Sequence, residues 1–356
     1  MAGEARPATG ASIARRLLPA RLGVMGQKVL INLAILAVIW VTLTLLSPRF
    51  LTPENLTNVF RQIATVATVG SVVTMLMVSR NFDLSVGGVL ALSGCVAATL
   101  ANSGWPVIPA FVAGTLAGTL VGTANGFLVV VVGINSVIAT LGTMYLSRGS
   151  ALLVTGGLPV YTVPEGYALV GAGYVGPVPI PVIIMVLFVL GMTVVERRTL
   201  LGKYARATGS NPPAARLSGV PTRRVQYALF VLAGAAAGWG GIMVSSRVGG
   251  GLPTVGQGFE FEVVVAAVIG GTSLAGGEGI AFGTLLGALM VGSLNNGLNI
   301  LGVPTFWQTV ALGIVLVLAV GLDTVLRSRG QRGGARIQRE VDVTRGPAPE
   351  SGADAP

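Results

Sequence analysis

Residues 107–129 read VIPAFVAGTLAGTLVGTANGFLV, and none of these 23 side chains is charged. A stretch of this length and composition is sufficient to cross the hydrocarbon core of a bilayer, which takes roughly 17–25 apolar residues. It lies within residues 81–195, whose only charged residues are Asp83, Arg148 and Glu165. Because the whole chain is 52% hydrophobic and 10% charged, it is predicted to be an all-α polytopic membrane protein.

The net charge of +10 indicates a membrane surface rather than a nucleic acid. The positive residues cluster in short segments between apolar blocks, the arrangement that anionic lipid headgroups attract. Cys95 is the only cysteine and the chain has no histidine. An intrachain disulfide is therefore excluded, and the commonest zinc and haem ligands are missing. We predict lipid as a partner, no nucleic acid and no metal site.

Ten apolar windows bounded by proline, glycine or charge are predicted as transmembrane helices. They fall at 29–47, 59–79, 84–101, 107–129, 134–154, 178–195, 226–246, 262–276, 281–301 and 306–326. The eighth contains a glycine-rich stretch, 270–277, which is typical of a broken or re-entrant helix. Residues 29–326 are thus predicted to form one transmembrane domain.

The distribution of Lys and Arg predicts which side of the membrane each loop faces. With ten spans, the cytoplasmic side receives the basic arm 1–28, Arg80, the loop 197–224 and the tail 327–356, which hold 19 of the 23 Lys and Arg residues. The tail has no apolar periodicity and is predicted to be disordered. The sequence therefore predicts a multi-pass membrane protein with both termini in the cytoplasm.

A weak internal repeat suggests a two-part architecture. Residues 114–122 read GTLAGTLVG and lead to Asn125, while residues 283–292 read GTLLGALMVG and lead to Asn296. These segments lie in the fourth and ninth windows, and an offset of five helices gives equivalent segments opposite orientations. We expect two five-helix inverted repeats; the alternative is coincidence, since small residues four apart recur in any packed membrane bundle.

The loop 197–224 carries seven Lys and Arg residues and is predicted to face the cytoplasm. Within it, residues 211–219 read NPPAARLSG. Asn211 suits the cap of a short helix, the prolines suit its first turn and Gly219 suits its end. The segment alone leaves open whether this helix rests on the headgroups or has a specific function.

Several motifs, in order over roughly residues 50–325, resemble the sugar permeases of ABC importers of the ribose, xylose and galactose type. The motifs are RNFDLSVGG (80–88), TLGT (140–143), RG (148–149), TGG (155–157), ATGSN (207–211), AARLSGVP (214–221), VIGGTSL (268–274), GTLLG (283–287) and NNGL (295–298). The resemblance implies a type II-like ABC importer permease that moves a pentose, hexose or related polyol by alternating access.

The resemblance also implies a role for the short helix, which in this family docks in a groove of the cytoplasmic ATPase and couples it to transport. The coupling residues carried over are Asn211, Ala214, Ala215, Arg216, Leu217, Ser218 and Gly219. An extracytoplasmic sugar-binding protein and a second permease copy are the other implied partners. Pro212 and Pro213 depart from the family, which commonly has an acidic residue there, but proline in the first turn leaves the helix intact.

The chain lacks a phosphate-binding loop of the GxxxxGK[ST] type, since Gly202 and Lys203 are followed by Tyr204 and no earlier glycine stands at the required spacing. We therefore expect a transport subunit and not an enzyme, with ATP bound by the partner and no cofactor of its own.

The signature residues of the motif at 80–88, which follows the second window, are predicted to fix the turn into the third helix. They are Arg80, Asp83, Leu84, Ser85 and Gly87. If the local chain is helical, Arg80 and Asp83, three residues apart, form an ion pair that keeps the carboxylate charged.

Polar side chains inside or beside the apolar windows are candidates for the translocation pathway. They are Asn125, Gln257, Asn295, Asn296 and Asn299. Hydrogen bonding between helices is the alternative role for the asparagines. Glu260 and Glu262 lie close to Gln257 on the predicted outer side, and the glycine-rich segments 249–258 and 270–279 are expected to line a cavity or gate.

Two rival functions remain open at this point. A branched-chain amino-acid permease of the same superfamily would usually carry an NFAHG-like segment where this chain has NFDLS at 81–85. An ion-coupled secondary transporter would also have inverted repeats, but it would place ionisable groups near the middle of the membrane. Such groups are scarce in the windows.

Overall fold

The computed structural model describes residues 24–304, 306–314, 317 and 321. This part of the chain is mostly helical, with one antiparallel pair of short strands, β1 (Tyr174–Val175) and β2 (Val178–Pro179). The helices are α1 (Val24–Leu46), α2 (Pro53–Val78), α3 (Val86–Asn102), α4 (Val107–Gly126), α5 (Ser136–Thr155), α6 (Leu169–Ala172), α7 (Ile180–Arg198), α8 (Leu200–Ser210), α9 (Pro212–Leu217), α10 (Thr222–Val248), α11 (Phe259–Ile269) and α12 (Ala281–Ile300). A π-helical turn, Phe127–Val132, extends α4.

Six of the described helices are long and apolar enough to cross a membrane: α1, α2, α4 with its extension, α5, α7 and α10. They occupy the first, second, fourth, fifth, sixth and seventh predicted windows. The third and ninth windows hold the 17-residue α3 and the 20-residue α12. A polytopic helical membrane protein is therefore confirmed, whereas the count of ten spans goes beyond what helix length and composition establish.

The eighth window is interrupted, as its glycines predicted. Helix α11 has 11 residues, about 16 Å at 1.5 Å per residue, which is half of the roughly 30 Å hydrocarbon thickness. Residues 270–280 then run without helix to the start of α12. Residues 306–314 are helical and begin the tenth window; most of its remainder, the arm before residue 24 and the predicted tail lie outside the described residues.

Helices α2 and α10 form the centre of the bundle. In their most apolar stretches 78% and 72% of residues are buried, against 11% for α1 and 22% for α4. The main apolar cluster joins α2 and α10 to α3 and α11. Helices α1 and α4 instead leave large apolar side chains exposed on the outside of the bundle, where lipid is the natural neighbour.

Glycines allow the backbones of crossing helices to approach closely. A Cβ added at Gly118 of α4 would lie 2.7 Å from the carbonyl oxygen of Gly234 on α10. A Cβ at Gly287 of α12 would overlap the carbonyl group of Ala266 on α11. The two segments of the predicted repeat are therefore both used for close helix crossings, which is the usual function of small residues spaced four apart in membranes.

The loop 197–224 folds into two helices, α8 and α9, at one end of the bundle. The predicted short helix is confirmed as α9, with Asn211 as its cap: the side-chain oxygen accepts a hydrogen bond from the amide of Ala214 at 3.2 Å. Gly219, just beyond α9, has φ +78°, the left-handed conformation that favours glycine.

Candidate functional site

The chain between α2 and α3 is not helical over residues 81–85. Its backbone amides are satisfied by hydroxyl groups of α5: the amide of Phe82 donates to Ser136 Oγ at 3.3 Å and that of Leu84 to Thr140 Oγ1 at 3.1 Å. Irregular backbone inside a membrane protein is stable when neighbouring elements supply such partners. Contacts with α5 therefore stabilise this non-helical segment.

Asp83 lies at the centre of a buried hydrogen-bonded cluster. Its Oδ1 accepts from the amide of Ser85 at 2.9 Å and from the Ser85 hydroxyl at 2.5 Å. Asn125 donates to Ser85 Oγ at 2.9 Å and accepts from Thr143 Oγ1 at 2.7 Å. Burial raises the pKa of the Asp83 carboxyl above its ordinary value, and the hydrogen bonds from Ser85 and Asn125 offset only part of that rise. The cluster holds the break, α4 and α5 together.

The predicted ion pair between Arg80 and Asp83 is wrong. Arg80 adopts φ +67° and residues 81–85 are not helical, so the helical path that the predicted pair required is absent. The Arg80 guanidinium donates instead to the carbonyl oxygens of Gly209 at 2.6 Å (Nε) and Ser210 at 3.2 Å (Nη2). These carbonyls end α8, where a positive charge is favourable to the helix dipole.

A second set of contacts surrounds this turn. The amide of Gly277 donates to the carbonyl of Val78 at 2.8 Å, and Gln226 Nε2 donates to the carbonyl of Ser79 at 3.2 Å. A Cβ at Gly209 would overlap the carbonyl oxygen of Val78. We call these contacts, together with those of Arg80, the junction: they connect the end of α2 to α8, to α10 and to the glycine-rich segment 270–280.

Glu196, at the end of α7, makes another connection to α8. Its fully buried carboxylate accepts from the amide of Ala281, the first residue of α12, at 3.0 Å and lies 3.7 Å from the guanidinium of Arg206 on α8. Sequence reasoning did not select Glu196, because a charged residue followed by Arg197 and Arg198 resembles an ordinary end of a membrane helix. The sequence does not show that its side chain is buried.

A cavity of about 250 Å³ opens at the other end of the bundle, between α2, α3, α10 and α11. We call it the outer cavity. Its polar lining consists of Gln62, Thr65, Arg247, Gln257 and Glu262, and its apolar lining includes Leu90, Val244 and Phe259. A smaller cavity of about 30 Å³ shares Gln62 and Glu262 with it and reaches Asn295 on α12.

Two of the five predicted pathway residues, Gln257 and Asn295, therefore lie around the same pair of side chains, Gln62 and Glu262. Gln62 was not selected from the sequence, although a lone glutamine within an apolar window was a usable signal. Arg247 was missed as well, because at the end of a helix it resembles an ordinary boundary charge.

The other three predicted pathway residues make contacts elsewhere. Asn125 belongs to the Asp83 cluster. Asn296 exchanges two hydrogen bonds of 2.9 Å with Asn55 of α2, and Asn299 accepts from Gln308 at 2.7 Å. The structure thus places these asparagines in hydrogen bonds between helices.

Arg148 of α5 holds the backbone that lines the outer cavity. It donates to the carbonyl of Gly256 at 2.8 Å and lies 3.8 Å from the carboxylate of Glu260. Gly87, at the start of α3, permits this contact, since a Cβ there would lie 2.5 Å from the Gly256 carbonyl oxygen and overlap Glu260. Gly87 of the signature motif therefore lets the glycine-rich segment 249–258 pack closely against the start of α3.

The coupling residues predicted from the resemblance form one exposed tip. Leu217 is 91% exposed, and Ala214, Arg216, Ser218 and Gly219 are exposed with it. Ala215 is buried against the bundle. Within the described residues, almost nothing covers the side chain of Leu217.

Comparison with known proteins decides the family. The model of the family described as "Branched-chain amino acid transport system / permease component" matches residues 55–320. The chain belongs to this family. Membership of a permease family agrees with the prediction of a transport subunit without its own ATPase activity.

Individual relatives of this permease are similar over most of its length. The ribose import permease of Bacillus subtilis is 39% identical over 290 residues, 81% of this chain and 90% of the relative. The ribose import permease of Escherichia coli K12 is 39% identical over 303 residues, 84% and 94% of the two chains. The D-allose permease of the same strain is 36% identical over 294 residues, 82% and 90%. No solved structure matches the chain significantly.

Proposed function

We propose that this permease is the membrane subunit of an ABC importer that moves a monosaccharide across the inner membrane by alternating access. The observation that carries the proposal is the similarity to permeases named for ribose and allose over more than four fifths of the chain. The motif at 83–87, DLSVG, points to the same branch of the family. The family description names branched-chain amino acids, which makes them the second substrate class to test.

The exposed tip of α9 is the proposed docking point for a separate cytoplasmic ATPase. An exposed leucine flanked by small and positively charged residues is suited to insertion in a groove of a partner. The cap at Asn211 closes the first turn of α9, and the buried Ala215 packs α9 on the bundle, so that movement of the ATPase moves α9 and α8 together. ATP is bound by that partner in this proposal.

The proposed path of coupling runs from α8 to two membrane helices. Arg80 connects the end of α8 to α2, and the Arg206–Glu196 contact connects it to the first amide of α12. Gln62 of α2 and Asn295 of α12 lie at the cavities near the other end of the same helices. A displacement of α8 is thereby transmitted toward the proposed pathway.

The finer architecture is proposed as two inverted repeats of five helices. Supporting this, α4 of the first half packs on α10 of the second, and α12 of the second half packs on α2 of the first. The breaks at 79–85 and 249–258 both fall between the second and third helices of a half. We further propose that both termini are cytoplasmic, that a sugar-binding protein delivers substrate at the end opposite α9, and that a second permease copy completes the pathway.

Transport by a reconstituted complex tests the function. The permease is co-expressed with its proposed ATPase and sugar-binding-protein partners, and uptake of labelled ribose is measured in proteoliposomes with and without ATP. We expect ATP-dependent ribose uptake. Uptake of leucine in place of sugar would support the amino-acid function, and uptake driven by an ion gradient without ATP would overturn the ABC proposal.

A negative charge introduced at the tip tests the docking point. Replacing the exposed Ala214 with glutamate places a charge in the proposed interface, so sugar uptake should fall at least tenfold while the membrane bundle remains folded. Pro213→Glu is the matched control, because it adds the same charge one residue earlier, where the sugar permeases commonly carry an acidic residue. Equal uptake by Ala214→Glu and wild type would reject the assignment.

A further inference from the structure

The outer cavity exposes polar side chains at a depth where lipid is an unfavourable neighbour. Gln62 lies within the second apolar window, 59–79, nine residues after the start of α2, and its side chain is exposed. An amide left without hydrogen bonds in hydrocarbon costs several kcal/mol. Glu262 and Gln257 converge on the same space from α11 and the preceding loop. These side chains therefore require water or a polar ligand.

The chemistry of the lining fits a small polyhydroxylated molecule. Gln62 and Gln257 each offer hydrogen-bond donors and an acceptor. Arg247 offers donors and Glu262 offers acceptors, so each sugar hydroxyl group can either donate or accept a hydrogen bond here. Leu90, Val244 and Phe259 supply apolar surface for the C–H faces of a sugar ring. Such a combination of apolar walls and a few oriented polar groups is typical of small-molecule sites.

The size of the cavity agrees with one monosaccharide. Its volume of about 250 Å³ lies just below the roughly 300–1,000 Å³ of clefts that hold drug-sized ligands. The adjoining cavity of about 30 Å³ has room for little more than a water molecule. The larger cavity is thus the one that accommodates a ligand.

The part of the cavity wall that has no helix is held in place. Gly256 has φ +72°, and its carbonyl oxygen is fixed by the Arg148 guanidinium at 2.8 Å. The same guanidinium lies 3.8 Å from the carboxylate of Glu260, so Arg148 connects the backbone beside Gln257 to α11. A fixed wall of this kind is the preorganisation that a binding site needs.

We propose that the outer cavity, with Gln62, Gln257, Glu262 and Arg247 as its polar contacts, is a water-filled subsite that holds a single monosaccharide in transit. The inference rests on the proposed sugar import and adds the place and the residues of sugar contact. Gln62 and Gln257 bind hydroxyl groups, and Arg148 is a positioning residue for the wall.

Cysteine accessibility tests the water-filled state without any transport. Cys95, the only cysteine, is fully buried and is first replaced by alanine. Gln62→Cys is then compared with Leu116→Cys, because Leu116 also stands nine residues into its helix, α4, and is 55% exposed. A charged, membrane-impermeant methanethiosulfonate reagent should modify position 62 at least tenfold faster than position 116. Equal rates would overturn the proposal.

Protection of the cysteine by a bound ligand tests, in the same variant, whether the cavity binds sugar. Millimolar ribose should slow modification of Gln62→Cys severalfold, whereas leucine at the same concentration should have no effect. Protection by leucine alone would overturn both the subsite and the sugar function. If wild type takes up ribose but ribose gives no protection, the proposed function stands and the subsite is rejected.

Uptake by the complete complex gives an independent readout. Gln257→Ala should lower the maximal uptake rate about fivefold, the effect of losing one hydrogen bond, and leave the amount of assembled complex unchanged. Asn102→Ala is the control, since Asn102 is an exposed amide at the end of α3 and does not line the cavity. Wild-type uptake by Gln257→Ala would contradict the proposed contact.

Discussion

Replacing Arg80 with glycine removes the hydrogen bonds of the guanidinium while preserving the conformation of the turn after α2. Arg80 has φ +67°, a conformation that costs a residue with a Cβ roughly 1–2 kcal/mol and costs glycine no such steric penalty. The Arg80→Gly chain can therefore keep the turn. It loses both hydrogen bonds to the carbonyls of Gly209 and Ser210.

The size of the effect follows from those two hydrogen bonds. A hydrogen bond to a charged group contributes about 1.5–3 kcal/mol when it is sheltered. Because Arg80 is exposed, water screens its charge, and we assign about 1.5 kcal/mol to the pair together. A loss of about 1.4 kcal/mol changes an equilibrium constant tenfold. Relief of strain in the turn stabilises the fold but does not replace the connection to α8, so we expect uptake to fall about tenfold, while ATP hydrolysis by the complex continues.

Proteoliposomes that contain the whole complex allow both rates to be measured on one sample. Arg80→Lys is the matched variant: it keeps the charge but cannot donate to two carbonyls in the fixed geometry of a guanidinium, so its uptake should be intermediate. Thermal unfolding in detergent shows that the bundle is intact. Wild-type uptake by Arg80→Gly would refute the role of Arg80 in coupling.

Three further changes test other contacts. Gly118→Ala should destabilise the bundle by about 1–3 kcal/mol in detergent unfolding, because its Cβ meets the backbone of α10, whereas Gly142→Ala, which has open space, should be neutral or stabilising. Glu196→Ala should cost about 1–3 kcal/mol by leaving the first amide of α12 unpaired, and Glu196→Gln should retain most of the stability; equal losses would contradict the hydrogen bond. Asn296→Ala should lower stability by about 1 kcal/mol through loss of the pair with Asn55, without altering sugar protection of the outer cavity.

Local patterns in the sequence were sufficient to predict local structure. Apolar length located most of the helices, and the order of Asn211, the prolines and Gly219 predicted α9 and its cap. The glycines at 270–277 predicted the interruption after α11. In each case the physical cause lies within a few residues of the feature, so one sequence contains it.

Contacts between distant segments could not be predicted in the same way. The prediction for Arg80 assumed a helix through Asp83, but the carbonyls that Arg80 binds belong to residues 209 and 210, in another element. The outer cavity joins Gln62 to Arg247 and Glu262, some 200 positions later in the chain. Gln257 and Asn295 could be selected as polar residues, but only the fold distinguishes them from Asn296, whose amide is occupied by Asn55.

Helix α2 directly connects the outer cavity to the junction, because it is not interrupted between them. It is a single helix of 26 residues, with Gln62 near one end and the junction at the other, and its interior is held by packing such as that of Gly70 against Thr284. A linkage between two sites is reciprocal: if nucleotide at the ATPase alters the affinity for sugar, then sugar alters the affinity for nucleotide by the same factor. An importer built on this helix would sense its cargo, and an empty transporter would differ from a loaded one in how tightly it holds ATP.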